Sequence, residues 1–459
     1  MVEICSTDNP EVKLDQWLAD PLRGGDVLAV VYDYCQYYLP GTPSIRLVAV
    51  YCQNNDQVLF TVAEVESSVF KRLESATESL AGFKSFAACQ RLPIFTFGQP
   101  LRLETVSIAK PWGQEIWYTG IETRGVSRVS GGEDSVSLPW LLSVAPRRLA
   151  ANGERKINLL KILDPLPEEV YGDLYFELHE EKREVYVVTH VDKDAWPEGV
   201  GAIRFGFNPD VRSEYPSSDA FKAAYLAAVK RYELVRRVVD GLLDECRQSE
   251  GVDACAPVSA DMIKRWMETL PESLRQREAD CREHMNRFTA LLPLQQGEVV
   301  KVPILTPHSL QHGVRTVEFQ TPVYERKILS FTQKVLTQTH WDTDNAVAVM
   351  STDTPVLSEL LVLEVDAEHR LEEVVRFEDF QVLRLTLNSS ARYLLPQTHS
   401  YGLLLVVDAN VDCNGVTLME EAAVLLPAER SRSYVTNTSN REAVLLLAWP
   451  VWRLANTEI

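Results

Sequence analysis

The chain has 459 residues, of which 46% are hydrophobic, so it is long enough for two or three domains with a large core. Its formal net charge of −19 argues against a nucleic-acid partner, because the phosphates would be repelled. No apolar run reaches the ~20 residues that a membrane-spanning helix needs, so we expect no membrane association.

Cysteine usage and the first residues indicate the compartment. The eight cysteines contain no Cys-x-x-Cys pair, which is typical of reduced thiols. The opening residues, MVEICSTDNP, have neither the basic nor the apolar region of a signal peptide. We therefore expect a cytoplasmic protein.

Residues 1–104 alternate apolar runs with turns. The pattern predicts strands over 26–32, 45–51 and 58–62. Apolar residues near helical spacing then predict one helix over 69–80. No chemical motif occurs in this part of the chain, so we predict an N-terminal α+β region of unknown role.

A helical insert is predicted over 212–290, where Ala, Leu, Glu, Lys and Arg are abundant. An apolar stripe runs from Phe221 to Leu242, and Ser217 is placed to act as an N-cap. A second helical stretch spans 261–288 and is interrupted by a proline. The residues before the insert, from about 105, read as strands with Pro and Gly between them.

Short strands at regular spacing return after about residue 330. They are predicted over 360–365, 382–387, 402–407, 423–427 and 443–448. Such spacing is typical of an all-β barrel or jelly roll. The predicted organisation is therefore mainly β, with domains at 1–104, 105–330 and 331–459.

Two distant segments carry residues suited to a metal site. Glu177 and His179 are two apart on a predicted strand, so their side chains point the same way. Glu184 begins the next predicted strand after a short charged turn, and His308 lies far downstream. Two carboxylates and two imidazoles suit zinc, or else manganese or iron. An alternative is a surface salt bridge between His179 and Glu184.

The downstream segment has the spacing of a known motif. Gly297, five residues, Pro303 and then His308 matches the second cupin motif, with Leu305 at the position of its middle glycine. In the first motif, Glu177 occupies the place of the usual leading histidine. The two motifs in this order predict a metal-bearing cupin barrel. A similar segment at 421–428 has no following histidine, so we predict a second cupin without a metal.

Five segments resemble type I phosphomannose isomerases, the zinc-dependent mannose-6-phosphate isomerases, in the order found in that family. They are Lys110-Pro-Trp-Gly113, Glu177-Leu-His179, Lys182-Arg-Glu184-Val-Tyr-Val, Thr306-Pro-His308-Ser, and Glu318-Phe-Gln320 followed by Tyr324-Glu-Arg326. The resemblance covers about 105–459 and excludes the first hundred residues. It implies tandem cupin (jelly-roll) barrels with a helical insert.

The resemblance also implies an activity and a set of site residues. One Zn²⁺ per chain would be held by Glu177, His179, Glu184 and His308. The resemblance places Arg326 near the reacting carbons or the phosphate, has Lys182 face the phosphate or order the site, and makes Glu318 a candidate proton shuttle. The implied reaction interconverts mannose-6-phosphate and fructose-6-phosphate through a cis-enediol. The partner would be a sugar phosphate, and the protein a monomer or homodimer.

Several positions depart from the family pattern and leave alternatives open. Glu177 replaces a glutamine, the segment after His179 is reduced to two glutamates, and the spacing from Glu318 to Arg326 is two residues short. The last two changes favour a second hypothesis, a non-catalytic or differently specific cupin that binds a metal and a sugar or sugar phosphate. An iron-dependent oxygenase is a third, disfavoured because two carboxylates make the site more acidic than a 2-His-1-carboxylate arrangement.

Overall fold

The computed structural model describes residues 3–22, 25–66, 69, 72–73, 79–151, 157–357 and 359–451. Contacts divide the chain into two compact units. The first unit comprises 1–106, 117–160 and 360–459, and the second comprises 107–116 and 161–359. The boundaries predicted after residues 104 and 330 stay a prediction. No helix in the described ranges is both long and apolar enough to cross a membrane.

The fold is mainly β, as predicted. The helices are α1 Pro10–Ala19, α2 Leu80–Gln90, α3 Leu138–Val144, α4 Pro146–Ala150, α5 Pro209–Ser213, α6 Ser218–Ser249, α7 Ala260–Thr269, α8 Glu272–Asn286 and α9 Thr343–Val349. The strands are β1 Glu3–Ser6, β2 Val27–Cys35, β3 Ser44–Asn54, β4 Gln57–Glu64, β5 Phe95–Thr96, β6 Leu101–Glu104, β7 Val106–Lys110, β8 Gly113–Trp117, β9 Ile121–Glu122, β10 Gly125–Val126, β11 Arg128–Gly131, β12 Asp134–Ser137, β13 Leu159–Pro165, β14 Phe176–Leu178, β15 Glu184–Val191, β16 Gly201–Phe207, β17 Thr289–Leu294, β18 Val299–Val302, β19 His308–Leu310, β20 Val314–Gln320, β21 Lys327–Ser330, β22 Leu361–Val365, β23 His369–Arg376, β24 Phe380–Leu387, β25 Arg392–Leu394, β26 Gly402–Asp408, β27 Val411–Cys413, β28 Val416–Leu418, β29 Ala423–Leu426, β30 Tyr434–Asn437 and β31 Ala443–Pro450.

The first unit contains the strands predicted at both ends of the chain. Strands β1 to β5 form a five-stranded sheet in sequence order, with β1 parallel to β2 and the other neighbours antiparallel. The helix predicted over 69–80 lies largely outside the described residues, and α2 begins at Leu80. The C-terminal strands join a nine-stranded sheet in the order β12-β11-β6-β29-β26-β31-β24-β23-β22. A four-stranded sheet, β25-β30-β27-β28, completes this part.

The second unit is built on two sheets. One has the order β18-β15-β20-β13-β8-β7 and the other has the order β17-β16-β19-β14-β21. Strands β14 and β15 follow each other in the chain but belong to different sheets, and so do β19 and β20. Alternation between two sheets is a feature of jelly rolls, and both strand orders are open. Residues from the two sequence motifs therefore come from both sheets.

The helical insert packs on the second unit as its sequence pattern predicts. Helix α6 begins after Ser217, whose side chain accepts a hydrogen bond from the backbone N–H of Ala220. Phe221 and Tyr225 lie on the buried face of α6, with ring centroids 5.1 Å and 5.0 Å from the ring of Phe207 on β16. Burying each such ring contributes roughly 1.5–3 kcal/mol, so this contact anchors the insert to the sheet.

Candidate metal centre

Two short strands bring the distant motifs together. Strands β14 and β19 pair in antiparallel fashion, with Glu177 opposite His308. His179 follows directly after β14, and Glu184 is the first residue of β15 in the other sheet. The hydrogen-bond ladder between β14 and β19 thus closes the long gap in sequence between the two clusters.

The turn before His308 has the conformation that the cupin motif predicts. Gly297 has a φ of +88°. Leu305, at the position of the motif's middle glycine, has a φ of +63°. Residues with a side chain adopt this left-handed conformation at a cost of about 1–2 kcal/mol. The N–H of Leu305 donates to the carbonyl oxygen of His179 at 2.7 Å. This bond links the turn to the end of β14 and positions the two histidines.

His179, Glu184 and His308 form a compact, buried group. Oε2 of Glu184 lies 3.4 Å from Nε2 of His179 and 3.2 Å from Nε2 of His308. One ligand atom from each residue lies within 4.8 Å of the others, and each residue is at most 2% exposed. Two imidazole nitrogens and a carboxylate oxygen at this spacing are a donor set for a divalent metal ion.

The tautomers of the two imidazoles fit a bound cation. Nδ1 of His179 lies 2.9 Å from the carbonyl oxygen of Glu325, and Nδ1 of His308 lies 3.0 Å from that of Thr306. A carbonyl oxygen only accepts, so each Nδ1 carries a proton, and the neutral form of each imidazole has its lone pair at Nε2. Both lone pairs then face the carboxylate of Glu184. Three converging acceptors require a cation or a proton between them.

Glu177 lies at the edge of this group. One carboxylate oxygen is 3.9 Å from Nε2 of His179, and the other is 3.7 Å from Nη1 of Arg326. The guanidinium of Arg326 also lies over the ring of Tyr175, 4.7 Å from its centroid. Burial acts to raise the pKa of Glu177, but Arg326 and His179 outweigh it and lower that pKa. Glu177, the predicted fourth ligand, therefore has one carboxylate oxygen toward His179 and the other toward the guanidinium of Arg326.

Several neighbouring groups favour the ionised form of the Glu184 carboxylate. Nζ of Lys182 lies 2.5 Å from Oε1, and the hydroxyl of Tyr186 donates to Oε2 at 2.8 Å. Burial acts to raise the pKa of Glu184, but Lys182 and the two histidines outweigh it and lower the pKa well below its usual range. A carboxylate that stays ionised while buried is a strong metal ligand.

A row of buried charges crosses the six-stranded sheet from this group. Five neighbouring strands contribute one residue each: Glu184 on β15, Glu318 on β20, Lys161 on β13, Glu115 on β8 and Lys110 on β7. Nζ of Lys161 lies 3.2 Å from Glu318 and 3.8 Å from Glu115. Nζ of Lys110 lies 3.2 Å from Glu115. All five residues are less than 9% exposed, so the row is part of the interior of the unit.

The row affects the protonation of Glu318. Burial, followed by the negative charge of Glu184, raises the pKa of Glu318 well above its usual range, although Lys161 and Lys182 act against this. Burial acts to lower the pKa of Lys161, but Glu115 and Glu318 outweigh it and raise that pKa. The pKa of Glu318 is therefore shifted toward the range in which a carboxyl group can both accept and donate a proton, beside the cation of Lys161.

The structure brings all seven predicted site residues into one connected group, and sequence reasoning missed three of its members. Lys161 and Glu115 were not predicted, and Lys110 was only part of a motif. Lys161 is a charge within an apolar run of β13, Leu-Leu-Lys-Ile-Leu, and that anomaly is a signal that could have identified it.

Sequence comparison returns no match for this chain. No protein-family profile matches it, and no curated protein matches it.

Structure comparison does find similar folds. Mannose 6-phosphate isomerase from Bacillus subtilis aligns with a TM-score of 0.54 and 14% identity, over 76% of this chain and 99% of that one. This chain has the mannose-6-phosphate isomerase fold. A zinc-bound mannose 6-phosphate isomerase aligns with a TM-score of 0.51 and 13% identity, over 77% of this chain and 100% of the other. A lysine-to-alanine mutant of phosphomannose isomerase from Salmonella typhimurium gives the same four values. The cupin fold implied by the motifs is confirmed.

Proposed function

We propose that the protein is a metal-dependent aldose–ketose isomerase that interconverts mannose-6-phosphate and fructose-6-phosphate. The observation that carries the proposal is the buried group of His179, Glu184 and His308, whose ligand atoms lie within 4.8 Å of one another. Its occurrence in a chain with the mannose-6-phosphate isomerase fold supports the same reading. A cytoplasmic location remains the expectation from the sequence.

The proposed metal would be held by His179, Glu184 and His308, with Glu177 as a fourth ligand. Zinc is our choice because two imidazoles and carboxylates suit it, and a similar fold has been determined with zinc bound. When bound, the metal supplies a Lewis acid for the substrate oxygens on the two carbons that exchange the carbonyl group.

Lys182 and Arg326 would orient the substrate. Lys182 holds Glu184 through a contact of 2.5 Å, and Arg326 lies 3.7 Å from Glu177 and over Tyr175. The two cations thus flank the proposed metal position, as binding of a phosphate dianion beside an acidic site requires. A conformational adjustment of Arg326 away from Glu177 would free its guanidinium for the phosphate.

Glu318 would carry the proton between the two carbons. The reaction removes a proton from C2 of the aldose, forms a cis-enediol, and returns a proton to C1, while a hydroxyl proton moves from O2 to O1. Glu318 lies beside Lys161 at 3.2 Å, so the carboxylate form that would accept the proton from C2 would be stabilised. A single carboxyl group that accepts and then returns the proton keeps the reaction balanced.

A second candidate function is a metal-binding module that holds a sugar phosphate without isomerising it. The observation that favours it is the contact between Arg326 and Glu177. Where Glu177 retains Arg326, the guanidinium is not available to the substrate. The protein would then bind the ligand with little or no turnover.

An assay of metal-loaded protein separates the two candidates. Conversion of mannose-6-phosphate to fructose-6-phosphate is followed in a coupled reaction, with His308→Ala as the control. Turnover that disappears in His308→Ala supports the isomerase. Stoichiometric metal with saturable sugar-phosphate binding but no turnover supports the binding module. Absence of both metal binding and sugar-phosphate binding would contradict both.

A further inference from the structure

A cavity of about 120 Å³ lies in the second unit and shares no residue with the metal centre. Helices α6, α7 and α8 contribute to its wall, together with the segments 169–171 and 332–334. Nothing in the proposed isomerisation uses it. Its wall combines buried charged groups with an apolar surface, and such combinations are typical of small-molecule sites.

Three cations of the wall are hydrogen-bonded by the protein, and the fourth, Arg282, is ion-paired with Glu278 at 3.4 Å, although its Nε has no hydrogen-bond partner within the described residues. Arg236 donates to Oδ1 of Asp240 at 2.9 Å and to the carbonyl oxygen of Thr332 at 3.2 Å. Arg247 donates to backbone carbonyl oxygens at 3.3 Å and 2.8 Å. Nζ of Lys334 lies 2.7 Å and 2.9 Å from the two carboxylate oxygens of Asp244.

The charges of the wall balance. The lining has four basic residues, Arg236, Arg247, Arg282 and Lys334, and four acidic ones, Glu169, Asp240, Asp244 and Glu278. A cavity with zero formal charge, in which Arg236, Arg282 and Lys334 are ion-paired with carboxylates of the wall, does not favour a phosphate. Asp240, Asp244 and Glu278 each form an ion pair with a basic residue of the wall, so the wall has no excess negative charge for an ammonium ion. A neutral occupant is the one that the charges fit.

Two lining acceptors have no hydrogen-bond partner within the described residues. They are Oδ2 of Asp240 and Oε1 of Gln333, and these residues are 6% and 4% exposed. The amide nitrogen of Gln333 donates to the carbonyl oxygen of Tyr171 at 2.7 Å, which leaves Oε1 as the free end of the side chain. Buried acceptors are normally paired, so an occupant that donates hydrogen bonds would complete them.

The remaining wall is apolar. It is formed largely by Leu243, Val258, Ile263, Trp266 and Met267. Leu243, Ile263 and Trp266 are buried, and Val258 and Met267 are half-buried. An occupant must therefore present hydroxyl groups on one side and C–H groups on the other, as sugars and cyclic polyols do.

We propose that this cavity is a second binding site, separate from the metal centre, for a small neutral polyhydroxylated molecule such as a cyclic polyol or a monosaccharide. Its hydroxyl groups donate to Asp240 and Gln333, and its C–H face contacts the apolar wall. The site does not depend on the isomerase proposal, because none of its residues belongs to the metal centre.

The test measures binding of glycerol, myo-inositol and D-mannose by calorimetry to the full-length protein. The first two have no carbonyl group, so they are not substrates of an aldose–ketose isomerase. We expect at least one probe to bind saturably, and equally well to His308→Ala. Asp240→Asn turns the unpaired acceptor into a donor, and Val258→Phe fills the cavity. Each should weaken binding at least about tenfold, whereas Glu245→Gln, an exposed change on α6, should not.

Hydrogen exchange of the wild-type protein keeps the test independent of how the variants fold. A bound probe should slow exchange in α6 and α7, where the cavity wall lies. Failure of all three probes at millimolar concentration would overturn the proposal. So would binding that survives both cavity variants, or a crystal structure with the probe in which the cavity holds ordered water alone.

Discussion

Nε2 of His308 lies 3.2 Å from Oε2 of Glu184, although the carbonyl of Thr306 fixes the proton of that imidazole on Nδ1. In the neutral form of His308, the lone pair on its Nε2 therefore faces the lone pairs of Oε2 of Glu184. Nε2 of His179 adds a third acceptor, 3.4 Å from the same oxygen. Without a cation or a proton between them these acceptors repel one another, and a bound metal relieves that repulsion. Metal binding should thus be coupled to stability of the second unit.

Metal should raise the stability of the protein, and His308→Ala should remove the effect. At a free zinc concentration of a hundred times Kd, the free energy of unfolding should rise by about 2.7 kcal/mol. The variant loses one of three buried ligands, so its metal affinity should fall by at least about a hundredfold. Urea denaturation with and without a chelator measures the first effect, and competition with a metal-binding dye measures the second.

His340→Ala is the matched control for this prediction. The side chain of His340 is 71% exposed and pairs with Asp342, not with the metal group. Its removal should leave both metal affinity and the metal-dependent stabilisation unchanged. Equal zinc affinity in His308→Ala and wild type would contradict the assignment of the ligands.

Glu177→Gln should weaken metal binding and raise turnover. The change removes one negative charge near Nε2 of His179, so divalent affinity should fall about tenfold, which corresponds to about 1.4 kcal/mol. The metal should become a stronger Lewis acid, and Arg326 should lose its partner at 3.7 Å, so kcat should increase. Glu181→Gln, an exposed change in the following turn, serves as the control. Unchanged affinity in Glu177→Gln would exclude this residue as a ligand.

The metal group could be predicted from the sequence because each of the two motifs that carry its ligands lies within a short segment of the chain. Gly297, Pro303 and His308 keep the motif spacing even where Leu305 replaces glycine, and the φ of +63° at Leu305 shows that the backbone conformation is retained. Helix α6 was predictable for a similar reason, since its apolar stripe repeats at helical spacing. The contacts made by α6 could not be read from that pattern.

The buried charge row could not be predicted, because it depends on strand order. Glu115, Lys161 and Glu318 are far apart in sequence and meet only because β8, β13 and β20 are neighbours. Sequence periodicity shows which face of a strand is buried, but it does not show which strands pair. The same limit applies to Glu177, whose contact with Arg326 requires the pairing of β14 with β21.

Lys161 and Glu318 should be energetically coupled. Removing one member of a buried pair leaves an uncompensated charge, so Lys161→Met should lower the free energy of unfolding by about 3–5 kcal/mol. Lys161→Met combined with Glu318→Gln should cost less than the sum of the single changes, by about 1–3 kcal/mol. Urea denaturation of the four proteins measures this coupling energy.

The exposed ion pair of Arg265 and Glu250 is the control for this double-mutant cycle. Arg265 and Glu250 are 2.7 Å apart, with side chains 59% and 38% exposed. Arg265→Met should change stability by at most about 1 kcal/mol, because exposed pairs contribute little. Simple additivity for Lys161 and Glu318 would show that their contact does not stabilise the folded protein.

Glu372 should make the stability of the first unit depend on pH in the acidic range. It is paired with Arg370 at 2.9 Å and with Arg384, its cross-strand neighbour, at 2.8 Å. Burial acts to raise the pKa of Glu372, but the two arginines outweigh it and lower the pKa below 4.5. A lowered pKa in the folded state means that the contribution of Glu372 to stability is present above about pH 4.5 and is lost as the pH falls through the folded-state value.

Glu372→Gln should therefore lower the free energy of unfolding by about 1 kcal/mol at neutral pH and by progressively less in acid. Glu420→Gln, at an exposed site, is the control and should show no such trend. Denaturation curves across this range would contradict the assignment if the cost of Glu372→Gln did not change with pH.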